Sequence, residues 1–296
     1  MTLVSGVLLR YNEASEALIE KSNSAMSSPL WFVDFLKWLY PSRHVLARMT
    51  HLPLIGQVVD HFLFRDDEII YLPKDHTVQV KADLEPPSST VLPSQVVDHF
   101  IRQAQHHWIM DTCICREGEG CQKYPVDLGC IFLGESVTKI NPALGRFVTQ
   151  EEALVHAQRC REAGLVHTIG RNRLDAVWLG AHPSEKLLTI CNCCPCCCLW
   201  GLATDLTPDI GDKITKMSGV HVAVNGNCSG CELCLDGVCN MNAVEMVNGQ
   251  AQINGACRGC GRCVEVCPEG AIELTIQDPQ ILQRTIEQIT PLVDLS

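Results

Sequence analysis

Two runs, "CSGCELCLDGVCNMNAV" at 228–244 and "CRGCGRCVEVCPEGAI" at 257–272, carry cysteine in a repeated spacing that decides how the C-terminal part of the chain folds. Cys228, Cys231 and Cys234 stand at intervals of three residues in the first run, and Cys257, Cys260 and Cys263 do the same in the second. A fourth cysteine follows each triplet, Cys239 and Cys267. Three thiolates so spaced can wrap one face of a polynuclear metal cluster, and the amides of the intervening turns then point at its sulfurs and hold its negative charge. The fourth thiol lies too far along the chain to reach the same cluster comfortably, so it belongs to a neighbouring one. Zinc knuckles are a poorer fit, because they pair two CxxC units, or one with histidines, and need no triplets.

Upstream, "CNCCPCCC" at 191–198 packs six cysteines into eight positions, and the 296-residue chain holds 19 in all. An odd number, crowding that forbids strain-free pairing of near neighbours, and no signal-peptide pattern at the N-terminus argue against a secreted disulfide scaffold. The expectation is thiolate ligation of iron–sulfur or metal centres in a reducing, cytoplasmic setting. A hydrophobic share of 46% and a mean hydropathy of +0.08 are those of a globular protein with real cores. With 23 Lys and Arg against 34 Asp and Glu, a net charge of −11 argues against a basic nucleic-acid-binding face.

Cys257, Cys260, Cys263, Cys267 and Pro268 match the CxxCxxCxxxCP run, and residues 219–278 resemble a bacterial-type ferredoxin domain with two [4Fe-4S] clusters. The short strands expected at "HVAVN" and "AIEL" fit the same resemblance. It implies that Cys228, Cys231, Cys234 and Cys267 hold one cluster, and that Cys257, Cys260, Cys263 and Cys239 hold the other. The first run departs from the pattern: four residues precede Cys239, and Asn240 stands where proline is usual, so a bulged loop is expected there. From 221 onward, three arginines face nine carboxylates, an acidic surface suited to a basic redox partner or simply to water.

A second constellation joins "DTCICREGEGCQKYPVDLGC" to the 191–198 stretch, giving Cys113, Cys115, Cys121, Cys130, Cys191, Cys193, Cys194, Cys196, Cys197 and Cys198 as candidate metal ligands. Adjacent cysteines on an extended backbone point in different directions, so a CC pair tends to serve two sites. Pro195 stiffens the central turn, Asn192 is placed to satisfy loop amides, and Arg116 to offset thiolate charge. Three readings stand: iron–sulfur ligation by one or two further clusters, a metallothionein-like Cu(I) or zinc cluster, and redox-active thiols. Iron–sulfur ligation is the expectation, because a ferredoxin tail implies electrons arriving somewhere. The CxCR segment followed by CNCCxCCC is similar to that of ferredoxin-tailed iron–sulfur proteins, mainly of anaerobes, which supports ligation and implies no specific activity. Cys160, isolated in a helix running from Thr149 to Gly164 with a Thr149/Glu152 capping box, reads as a structural thiol. His106, His107, His156 and His167 read as ordinary structural or surface residues.

Residues 1–107 contain no cysteine and read as a mixed α/β region, followed by a Cys-rich middle domain at 108–204, the ferredoxin domain at 219–278, and a helix or tail at 279–296. The fold class expected is therefore α+β. "DLEPPSSTVLPS" and "ATDLTPDIGDK" read as linkers, and Ser94 as the N-cap of a helix burying Val96, Val97, Phe100 and Ile101. No stretch is apolar enough to span a membrane. Residues 30–40, "LWFVDFLKWLY", suit a core helix, a partner-docking helix, or peripheral membrane contact through the Trp residues. No dinucleotide or phosphate-binding motif is present.

The function expected is electron transfer between the dicluster domain and a further Cys-ligated iron–sulfur site, as subunit or partner of a reductase. Two alternatives stay open: an iron–sulfur oxidoreductase with its catalytic cluster in the middle domain, and a redox sensor or cluster-assembly scaffold.

Overall fold

A computed structural model describes residues 27–80, 92–278 and 280–296. The chain is α+β. Its main sheet has seven strands in the order β5-β3-β4-β7-β6-β1-β8, where β1 is Glu68–Tyr71, β3 His107–Met110, β4 Ile131–Leu133, β5 Gly145–Phe147, β6 Val166–Arg171, β7 Leu188–Cys193 and β8 Ile214–Lys216. All neighbours are antiparallel except β1 and β8. A second sheet orders β2 (Val78–Val80), β12 (Ile272–Ile276) and β9 (Val220–Val224), and β10 (Val244–Val247) pairs with β11 (Gln250–Ile253) as a hairpin.

The two-residue alternation of a strand assigns each side chain to a face. Ile70, Ile109, Ile131, Leu133, Ile169, Leu188 and Ile190 share one core. The helices Ser94–Gln103 and Gln150–Glu162 bury Val96, Val97, Phe100, Ile101, Ala153 and Ala157 in it, and Ile281–Ile289 adds its two terminal isoleucines. The intervening residues Tyr71, Trp108, Met110, Cys130, Phe132, Cys191 and Cys193 fall in two other cores, roofed by the helices Leu30–Leu39 and Arg43–Arg48 and by residues 199–210. Strand period alone thus brings Tyr71, Cys130, Cys191 and Cys193 to one side of the sheet.

The cysteine-free N-terminal stretch is spread over both sheets. Its β1 lies between β6 and β8, and its β2 pairs with β12 beside the ferredoxin-like hairpin. The stretch read as the second linker is folded onto the core: Pro208 opens the short helix Pro208–Gly211, Ile210 is fully buried, and the chain continues into β8. The first linker lies mostly outside the described residues. Ser94 is the first helical residue, not the cap, and its N–H donates to Asp75 Oδ1 at 2.9 Å. The capping box at Thr149 and Glu152 forms as expected, and Gly164 ends the region with φ +77°.

Helix Leu30–Leu39 buries Val33 and turns Phe32 and Leu36 inward, while Trp31 and Trp38 are 70% and 75% exposed. Among the described residues, no helix is long and apolar enough to cross a membrane.

Candidate iron–sulfur and metal centres

The eight C-terminal cysteines separate into two quartets. Cys228, Cys231, Cys234 and Cys267 line one small pocket, and Cys239, Cys257, Cys260 and Cys263 line another. Backbone amides point at the sulfurs: Ala251 N–H at Cys228 and Ala271 N–H at Cys267, at 3.3 and 3.2 Å, with Ala243 N–H at Cys239 and Gly259 N–H at Cys257, both at 3.4 Å. Such donors stabilise thiolate and sulfide charge. Gly230 and Gly259, at matching positions of the two triplets, have φ of +73° and +65°, which lets each turn curl round its pocket.

The ten middle cysteines also separate, and the split runs through the 191–198 stretch. Cys191 and Cys193 leave β7 on the face that bears a cavity of about 440 Å³, and Cys198 rejoins them after the turn. Cys113, Cys115 and Cys130 line the same cavity. Within this set Cys113 neighbours Cys115 and Cys130, Cys130 neighbours Cys191, and Cys193 neighbours Cys198. The other three, Cys196, Cys197 and Cys194, the last of which also borders the cavity, gather with Cys121, and the four sulfurs lie within 4.8 Å of one another. Cys160 is buried behind them against Leu128 and Leu165, its thiol pushed up to about 12 by burial.

Two buried guanidinium groups face these sulfurs. Arg116, 0% exposed, donates to the carbonyls of Asn192 at 2.7 Å and of Leu128. Burial opposes its charge, yet Cys113, Cys130, Cys194 and Cys193 beside it raise its pKa above the ordinary value. Arg262 donates to the Cys193 carbonyl and is held protonated, against burial, by Cys260, Tyr71, Cys193 and Cys198. Nε of both arginines and Nη1 of Arg262 have no hydrogen-bond partner among the described residues. An unpaired buried charge costs several kcal/mol, and anionic thiolates beside these two guanidinium groups would offset it. The thiols respond in kind. Hydrogen bonds from Cys115 and Cys130, with Arg116 nearby, hold Cys113 well below its ordinary value. Burial opposes ionisation of Cys198, but Cys193, the Trp200 amide, Tyr71 and Arg262 together hold it low.

Asn192 is buried in β7 between Cys191 and Cys193. Rather than capping loop amides, its Nδ2 donates to the Gly129 carbonyl at 2.6 Å, and its Oδ1 is paired with His167 Nδ1 at 2.8 Å. His107 and His156 bind the carbonyls of Ile101 and Gly129. These histidines are structural.

Tyr71 and Arg262 escape sequence reasoning. The Tyr71 hydroxyl is 3.7 Å from Cys198 Sγ and accepts from Asn240 Nδ2 at 3.0 Å, so it joins the cavity set to the residue after Cys239. The lone available signal was Asn240 in the place of proline.

A family model for the 4Fe-4S binding domain matches residues 253–273, the stretch bearing Cys257, Cys260, Cys263 and Cys267. No curated protein and no solved structure matches the chain. The molecule is thus an iron–sulfur protein. Its 4Fe-4S binding segment is joined to a further group of cysteines beside the seven-stranded sheet.

Proposed function

We propose that the chain carries electrons from a two-cluster ferredoxin-type unit to a third iron–sulfur centre in the sheet cavity. Cys228, Cys231, Cys234 and Cys267 would hold the outer cluster, and Cys239, Cys257, Cys260 and Cys263 the inner one. Cys113, Cys115, Cys130, Cys191, Cys193 and Cys198 supply more thiols than one cubane needs, which leaves room for an unusual cluster. Iron–sulfur clusters supply one-electron chemistry. The chain's own residues hold their charge and set their spacing.

The observation that carries this reading is the contact of Tyr71 with both Cys198 and Asn240, beside the Arg262 bridge to Cys193. It puts the inner quartet and the cavity set against a shared pair of polar side chains. Electrons would enter at the outer quartet, where Glu232, Asp236 and Glu269 are exposed and suit a basic redox partner. A second reading, reduction of a small substrate in the cavity itself, is favoured by its apolar walls of Phe32, Leu36, Phe132 and Trp200 around the thiols.

Iron and acid-labile sulfide in anaerobically purified protein test the proposal. About twelve of each per chain are expected for three clusters of cubane size. About eight, with a visible spectrum unchanged when Cys191 is replaced by alanine, would leave the cavity without a cluster and end the reading. Oxidation of the reduced protein by a small substrate, without a protein partner, would favour catalysis in the cavity over simple transfer.

A further inference from the structure

We infer that Cys121, Cys194, Cys196 and Cys197 form a mononuclear tetrahedral zinc site, distinct from every iron–sulfur centre in the chain. The four sulfurs all lie within 4.8 Å of one another, with Cys121–Cys196 and Cys194–Cys196 at 3.7 Å and Cys196–Cys197 at 3.4 Å. Four sulfurs on one zinc ion, each about 2.3 Å from it, define a tetrahedron with edges of about 3.8 Å. The observed spacings are of that size. A cubane sets each thiolate on a different iron at a different corner, so its four cysteines must stand well apart, with the inorganic core between them. Among the described residues, this is the one group of possible ligands drawn so tightly together.

The chain geometry explains how one short stretch feeds two centres. Cys193 and Cys198 flank the turn and face the cavity, which Cys194 also borders, while the sulfurs of Cys194, Cys196 and Cys197 gather with Cys121 in the loop after the helix Ile114–Glu119. Cys196 is exposed, and Tyr71, Asn240 and Arg262 meet the cavity set rather than this one. A redox-silent ion suits that position. Zinc there would clip the turn to the 121 loop.

The test uses the full-length protein purified without oxygen. Metal analysis is expected to find one zinc per chain besides the iron, and zinc-edge X-ray absorption to find four sulfurs at about 2.3 Å with no metal neighbour. Cys196→Ser and Cys121→Ser are expected to lower zinc at least tenfold while leaving iron and sulfide at wild-type levels. Absence of zinc from the wild-type protein would overturn the inference, as would loss of about four iron and four sulfide in either variant. The absorption measurement needs no variant, so a misfolded substitution cannot mask the answer. Because zinc and iron are counted separately, failure here is distinguishable from failure of the three-cluster reading.

Discussion

The two cysteine quartets of the ferredoxin-like region are built from nearly the same motif and face different surroundings. The outer one opens to solvent: Cys231 is exposed and Leu233 is 54% exposed. The inner one is closed by Tyr71, Arg262 and Gly261 against the main sheet. After the second cysteine of each triplet the backbone is left-handed, with φ +63° at Glu232 and +83° at Gly261. The outer triplet tolerates a side chain there, although that conformation costs about 1 kcal/mol or more for a non-glycine residue. At Gly261 a Cβ would collide with Thr77, whose hydroxyl is engaged with the Lys74 carbonyl at 2.8 Å. The difference teaches that glycine here serves docking of the unit onto its sheet as well as the turn itself.

The sharpest way to break this comparison is to exchange the two positions. Gly261→Ala adds backbone strain and a collision at the docking face, so a stability loss of about 3 kcal/mol is expected, together with loss of inner-cluster iron. Glu232→Gly, at the matching outer position, should change stability by no more than about 1 kcal/mol. Denaturant melts and iron content of the two variants measure the asymmetry. Equal losses would mean that the inner quartet is not docked as described.

A milder intervention addresses the connection itself. Tyr71→Phe keeps the ring in its core and removes the hydroxyl shared by Cys198 and Asn240. A hydrogen bond of about 1 kcal/mol is at stake, and electron transfer from the ferredoxin unit to the cavity centre is expected to slow about five- to tenfold. Iron content and the rate at which the outer cluster accepts electrons should stay unchanged. Stopped-flow spectra of the stepwise bleaching separate these steps.

What could be read in advance follows from the range over which each signal acts. The ferredoxin quartets are proposed from fixed spacing within about forty residues, a range over which cysteines that stand close in the chain also line the same small pockets. The split of the 191–198 stretch follows in outline from strand geometry, since neighbours on a strand face opposite ways. Which cysteine joins which set depends on Cys121 and Cys130 arriving from other elements, and no local pattern encodes that. The cysteine-free N-terminal stretch misled most, because cysteine content marks chemistry and not folding units. Glu68–Tyr71 reads as an ordinary short apolar run, yet it carries the tyrosine that touches both Cys198 and Asn240.

The smallest expected effect lies at the exposed end of the comparison. Glu232 and Glu269 border the outer quartet and are exposed, so their field reaches an approaching partner but is screened over about a Debye length. The double charge reversal Glu232→Lys, Glu269→Lys should leave iron content and the Tyr71-dependent internal step untouched. It should slow reduction by a basic donor protein about three- to fivefold at low salt, an effect that fades near 0.5 M salt as screening removes the steering. Because Glu232 is left-handed, a control with Glu232→Gln separates loss of charge from any change in the turn. If reversal slows the internal step rather than the bimolecular one, electrons do not enter at the outer quartet, and the direction assigned to the chain must be turned round.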